Sequence, residues 1–190
     1  MRLIAASLLL SAFAAAPALA QDKPFEGPSA TAIAGVDVSE HRAGLLYGGQ
    51  IGYDWQTDSN LVFGVEGEAT GSTSRDCVDG VSGSGGATRQ CFKTGRDFYA
   101  GGRIGTVVGG STLLYAKGGY TNARRSYEYS DSATPANDYQ IAGNSDGFRV
   151  GAGVEKRIGD KMLVKAEYRY SNYDGGQDRH QGLVGLGFRF

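Results

Sequence analysis

The sequence is poor in the residues on which most catalytic and metal sites depend. It holds two histidines, two cysteines, two methionines, one tryptophan and four prolines among 190 residues. His41 and His180 lie far apart, and Cys77 and Cys91 share one short segment. A structural zinc site wants four ligands, so this stock is a poor basis for one. Beyond the N-terminus no apolar run approaches the roughly 20 residues that a membrane-spanning helix needs. Any membrane crossing therefore has to use strands. Charge of one sign is also missing: 19 Lys+Arg stand against 20 Asp+Glu. Loss of Arg2 with an N-terminal leader would leave 18 against 20. That balance argues against bulk attraction to nucleic acid.

What is abundant is glycine, 31 residues, and tyrosine, 11 residues, a composition unlike that of an ordinary soluble domain. Residues 1–20 carry one positive residue, an apolar stretch from Leu3 to Ala16, and the small-residue ending Ala18-Leu19-Ala20. This is the pattern of a cleavable signal peptide. Gln21 rather than cysteine follows it, so a lipid anchor is not expected. Residues 21–190 are then a single exported domain.

From about residue 29 the dominant period is two, in segments of about ten residues separated by turn chemistry. Eight segments are counted: 29–38, 45–56, 61–70, 97–108, 112–121, 148–158, 162–171 and a last one ending at Phe190. The seventh alternates without error, with Met162, Val164, Ala166, Tyr168 and Tyr170 against Lys165, Glu167, Arg169 and Ser171. In the third, a slip of one residue would move Glu66 and Glu68 into lipid, so its register is strongly specified. Lys156 is the one awkward outward residue, and its ammonium can reach the headgroups from near a turn.

The connections alternate in length. Residues 57–60, 109–111 and 159–161 are short, whereas 71–96 and 122–147 are long and 39–44 and 172–180 intermediate. An up-and-down barrel places short turns in the periplasm and long loops outside, with both chain ends periplasmic. A ten-residue strand rises about 33 Å, and a tilt near 45° leaves roughly 23 Å along the membrane normal. The soluble rival is a secreted sandwich or lipocalin-like barrel, whose apolar face turns inward. Aromatics favour the membrane barrel. Trp55, Phe63, Phe98, Tyr120, Phe148, Tyr168, Tyr170, Phe188 and Phe190 gather toward the ends of the apolar faces, as interfacial girdles do.

With GGQIGYDW at 48–55, KAEYRYSNY at 165–173 and GLVGLGFRF at 182–190, the chain resembles the opacity-type, outer-membrane protein A-like family of surface antigens. This is a porin-like group of Gram-negative outer-membrane proteins, and the resemblance covers essentially the whole mature chain. It implies an all-β, transmembrane, up-and-down antiparallel barrel of eight strands. It also implies that Phe190 is the signal read by the barrel assembly machinery. Members serve structural, adhesive or immunogenic roles, so function is only loosely implied. No peptidoglycan-binding domain is expected after the barrel, so a cell-wall tether is not implied.

The inward positions form a candidate ion network: Asp54, Glu66, Glu68, Arg103, Lys117, Arg149, Glu155, Arg157, Lys165, Glu167 and Arg169. A bore of eight strands is just wide enough for side chains to fill, and charges there must pair. The favoured reading is a salt-bridge plug; the alternative is a narrow, porin-like path for small solutes. Cys77 and Cys91, in one exported loop, suggest a disulfide. Tyr127, Tyr129 and Tyr139 in the long loop at 122–147 suit adaptable protein or glycan contacts, which makes an adhesin the further alternative.

No enzyme is expected. The best triad available is Ser171, Asp178 and His180, with nothing but proximity in sequence to recommend it. Gly151 and Gly153 imitate a phosphate loop but precede no helix, and read as small interior positions. Neither cofactor nor metal is expected. The expected partners are outer-membrane lipid and lipopolysaccharide, the assembly machinery and an extracellular loop ligand, with no nucleic acid.

Overall fold

The computed structural model describes residues 23–39 and 42–190. The expected signal peptide and His41 lie outside the described residues. Nine strands are described: β1 Gly27–Ser39, β2 Arg42–Gln56, β3 Leu61–Ser72, β4 Arg75–Val81, β5 Ala87–Val108, β6 Thr112–Asp131, β7 Tyr139–Ile158, β8 Met162–Tyr173 and β9 Gln177–Arg189. Every pairing is antiparallel. Neighbours in space are neighbours in sequence, except that β1 pairs with β9 and β3 pairs with β5. Those two pairings close a ring of eight strands and leave β4 outside it, beside the far end of β5.

The expected strand count of the barrel holds, but the expected long loops do not. Residues 71–96 and 122–147 fall between the lipid-patterned segments, so the sequence expects loops there. In the structure they are mostly strand. β5 and β6 pair continuously from Thr88–Asp131 down to Val108–Thr112, with one irregularity between Thr94 and Asp97. β6 and β7 likewise pair out to Tyr129–Tyr139. Hydrogen-bonded ladders do not stop where the surrounding medium changes, whereas hydropathy does.

Exposure follows the alternation, and it is inverted relative to a soluble barrel. Ile51, Val65, Ile104, Leu114, Val150, Val184 and Leu186 face outward and are exposed, whereas Glu68, Lys117, Arg149 and Arg169 are buried. Exposed Tyr47, Phe98, Tyr120, Phe148 and Tyr168 lie near the long-hairpin end, and Tyr53, Trp55, Phe63, Phe188 and Phe190 near the short-turn end. The short turns use turn chemistry: Gly109 and Gly110 have φ of 61° and 71°, which costs a glycine nothing. At the same end, residues 23–26 fold back beneath the ring. Phe25 is fully buried against Val62, Val107, Leu113 and Tyr115, and its N–H donates to Gln56 Oε1 at 3.0 Å.

Candidate functional site: the ionic interior and the hairpin sheet

Three layers of ions fill the ring. In the layer nearest the short turns, Arg103 reaches from β5 to Asp54 on β2, where its Nε donates to Oδ1 at 2.8 Å, and to Glu155 on β7 at 3.0 Å. Arg189, the last residue of β9, closes the square with Asp54 at 2.8 Å and Glu155 at 2.9 Å. Its Nη1 also donates to the Phe25 carbonyl at 2.6 Å, tying the folded-back N-terminal segment to the network.

Lys117 is the hub of the middle layer. Its ammonium lies 2.5 Å from Glu66, 2.5 Å from Glu68 and 3.2 Å from Glu167. Lys165 pairs with Glu167 at 3.0 Å and donates to Gln50. The Tyr115 hydroxyl donates to Glu167 at 2.7 Å. Space for these long side chains comes from small residues opposite: a Cβ at Gly153 would meet Tyr115 Oη at 2.6 Å. This is the structural meaning of Gly151 and Gly153, which stand in mid-strand on β7.

In the layer toward the hairpins, Arg149 bonds Asp97 at 2.5 Å, Glu68 at 3.1 Å and Ser171 at 2.8 Å. Arg169 pairs with Glu68 and donates to Gln181 at 2.6 Å. Arg179 joins Asp97 at 3.0 Å and pairs with Asp37, while the Tyr173 hydroxyl donates to Asp97 at 2.6 Å.

Ten of the eleven residues expected inside are thus brought together. Arg157 is not. It is half-buried at the short-turn rim, where its guanidinium donates to the carbonyls of Pro24 at 3.0 Å and Asp160 at 2.7 Å rather than to a carboxylate. Arg157 shares the parity of Glu155, but β7 ends at Ile158 and the side chain meets the turn instead of the bore.

Four network members were missed as ion partners: Asp37, Asp97, Arg179 and Arg189. Parity could have placed Asp37 opposite Val36 and Val38, and had already turned Arg189 inward. Arg179 was hidden by its assignment to a loop. With these, seven acids and seven bases are buried within the ring: Asp37, Asp54, Glu66, Glu68, Asp97, Glu155 and Glu167 against Arg103, Lys117, Arg149, Lys165, Arg169, Arg179 and Arg189.

The triad of Ser171, Asp178 and His180 is not assembled. Ser171 is buried inside, accepting from Arg149, whereas the His180 ring is exposed and bonds the Tyr168 hydroxyl at 2.6 Å. Asp178 accepts instead from Tyr170 at 2.8 Å and Asn172 at 2.5 Å. The same clasp recurs on β6 and β7, where Asp146 accepts from Tyr120 and, at 2.6 Å, from Asn122. Each pairs an interfacial tyrosine with a cross-strand aspartate. These hydrogen bonds hold the carboxyls of both Asp146 and Asp178 below the usual aspartate range.

Above the ring, β4 and the far parts of β5, β6 and β7 form a four-stranded sheet. Cys77 and Cys91 face each other across β4 and β5 and are joined by a disulfide. Register sorts the side chains of this sheet. Val78, Phe92, Tyr127, Tyr129, Tyr139 and Ile141 share the face that continues the barrel interior; Arg75, Lys93, Glu128 and Arg89 share the face that continues the lipid side. Phe92 and Tyr127 form a tilted pair with ring centroids 4.8 Å apart, and Tyr129 and Tyr139 stack at 5.4 Å.

The family described as the outer membrane protein beta-barrel domain matches residues 5–190. Among curated relatives, the 31 kDa outer-membrane immunogenic protein of Brucella melitensis is 27% identical over 68% of this chain, which spans 54% of that protein's length. The 22 kDa outer membrane protein of Rhizobium leguminosarum is 29% identical, over 81% of this chain and 71% of the relative. Among solved structures, the attachment invasion locus protein Ail of Yersinia pestis superposes with a TM-score of 0.56 at 15% identity, covering 87% of this chain and 99% of Ail. That likeness is one of fold.

Proposed function

The chain belongs to the outer membrane protein beta-barrel domain family, and from that premise we propose that it is a structural barrel with a closed, salt-bridged interior that presents its long hairpins at the cell surface as an antigen. The observation that carries the closed interior is the balance of seven buried acids by seven buried bases, linked across the bore by pairs such as Lys117 of β6 with Glu167 of β8 and Arg179 of β9 with Asp97 of β5. A conducting path through an eight-stranded ring would need those pairs to part, and each parted ion would face the bore without its partner. The buried Phe25 segment backs the short-turn end of the same network. The immunogenic naming of the Brucella relative supports exposure of the hairpins.

Planar-bilayer recording of the refolded protein tests the plug. The expected trace is near baseline, and large, steady conductance replaces this reading with the narrow channel. Phe190, outward beside Phe188, is proposed as the assembly signal. Its deletion is expected to lower the heat-modifiable barrel in the outer membrane, and unimpaired assembly removes that role.

Adhesion through the hairpin sheet is a second reading, favoured by the exposure of Val78, Phe92, Tyr139 and Ile141. Cells carrying Phe92→Ser with Ile141→Ser are expected to adhere less, and equal adherence ends the adhesin reading. No catalytic role is proposed, because the serine and histidine that could support one lie on opposite faces of the wall.

A further inference from the structure

The outer face of the hairpin sheet carries a charge pattern that the barrel does not explain. Directly above the girdle residues Phe98 and Tyr120 the strand pairing is irregular, and residues 95 and 96 of β5 stand opposite Arg124 of β6. Arg96 and Arg124 are therefore cross-strand neighbours, and both are exposed. Neither has an ion pair to a carboxylate among the described residues. Like charges set directly opposite each other destabilise a sheet.

The next row outward adds Arg75 opposite Lys93. One acid answers that row: Glu128 lies 2.5 Å from Lys93 and 4.0 Å from Arg75. Four cations in these two rows thus face one carboxylate, and the next acid, Asp146, is taken up one row below by Tyr120 and Asn122. The height of the patch is also fixed, since the Arg96 guanidinium lies over the Phe98 ring at 4.9 Å and so sits at girdle level. At the β7 border of the patch the Asp146 carboxylate is held by Tyr120 and Asn122 of β6, and farther around the rim at the same level stands Asp178 of the second clasp. An anion approaching this rim is repelled by β7 and β9 and attracted by β5 and β6.

We propose that Arg96 and Arg124, flanked by Lys93 and Arg75, form a binding site for the phosphate group of an anionic lipid seated in the outer leaflet against Phe98 and Tyr120. The inference rests on the proposed orientation, with the hairpins at the cell surface. A phosphate between two guanidinium groups accepts paired, charge-assisted hydrogen bonds. It also removes the repulsion that the register imposes. The acyl chains then lie along the exposed apolar wall below, continuous with the lipid that covers the rest of the barrel.

The test is native mass spectrometry of the refolded full chain in detergent, with diphosphorylated lipid A as the probe. The wild type is expected to retain it about tenfold better than R96Q/R124Q, a difference of about 1.4 kcal/mol. Arg89→Gln, higher on the same face and paired with Asp79, is expected to retain it as the wild type does. Lipid A stripped of phosphate is expected to be lost from all three.

Equal retention by the double variant, or equal retention of the stripped lipid, overturns the site. Displacement of the lipid by an equal concentration of inorganic phosphate overturns the lipid assignment. If the double variant does not refold, Arg124→Gln alone and the stripped lipid decide. Binding in detergent does not depend on which way the barrel points in a cell. Surface proteolysis of whole cells at the hairpins reads the orientation separately, so the two failures are distinguishable.

Discussion

The barrel wall and the hairpin sheet are built from the same strands with opposite dressing. Along β6, Leu113, Tyr115 and Lys117 point into the ring while Leu114 and Ala116 point to lipid. Ten residues farther on, the inward parity carries Tyr127 and Tyr129, and the outward parity carries Ser126, Glu128 and Ser130. The backbone ladder is continuous through β6, but the apolar side has changed faces. The difference teaches that the medium, not the ladder, assigns the faces. Lipid demands an apolar exterior and confines the ions to a bore where they must pair, whereas water accepts the ions outside and leaves the rings to stack over the mouth.

The largest expected break comes from the hub of the bore. Lys117→Ala leaves Glu66, Glu68 and Glu167 facing one another around an empty place. Removing one partner of a buried pair costs about 3–5 kcal/mol, and urea unfolding of the refolded protein in lipid is the measurement. Removal of Arg89 on the hairpin, whose partner Asp79 is exposed, is expected to change that midpoint by no more than the ~0–1 kcal/mol of a surface pair.

A matched pair of substitutions sharpens the contrast of media. Ala116→Arg and Ala142→Arg both add a guanidinium to an outward position. In the lipid band the cost is about 2–4 kcal/mol, while on the hairpin it stays within about 0.5 kcal/mol. Equal costs at the two positions would mean that lipid does not cover β6 where the exposed apolar residues put it.

The disulfide ranks next, and its effect is expected to be local. Cys77→Ser with Cys91→Ser releases a ring with a sequence separation of 14, worth about 3 kcal/mol in the chain-entropy model. Amide exchange in β4 is expected to quicken, with the β8 and β9 amides unchanged. Faster exchange in β8 would show that the hairpin and the ring unfold together.

The smallest effect is one of pH. At the tip of the β6–β7 hairpin the Asp131 carboxylate accepts the Ala133 N–H at 2.9 Å and the Thr134 hydroxyl at 2.9 Å, which holds its pKa below the usual aspartate value. A lowered folded value means that this contribution is present above the unfolded value and is lost as pH falls through the folded one. Protection of the Ala133 amide is therefore expected to persist at neutral pH and to fail only in acid below the ordinary aspartate range. Loss of protection nearer neutrality contradicts the cap.

Legibility in the sequence tracked the medium as well. In the band, every second residue had to suit lipid, so Glu66, Glu68, Lys165, Glu167 and Arg169 could be turned inward by parity alone. Above the band the outward face is polar and the rings lie on the inward parity, so the lipid-facing pattern is lost, and β4 and the far halves of β5, β6 and β7 were legible only as loop. The triad and Arg157 failed for a related reason. Nearness in sequence put Ser171 near His180, but strand parity and the position of a turn decide what a side chain can touch.

The sequence by itself determined that the chain crosses a membrane with eight strands, which face of each meets lipid, and most of the ions inside, though Asp37, Asp97 and Arg179 were not among them and Arg157 lies at the rim. A period of two leaves only one register that keeps carboxylates out of hydrocarbon. Only the tertiary structure decided which ions meet. Partners such as Arg103 with Asp54, or Arg179 with Asp97, come from strands far apart in sequence. Their heights in the bore depend on the stagger with which the ring closes between β1 and β9 and between β3 and β5, and that stagger is a property of the closed sheet rather than of any one strand.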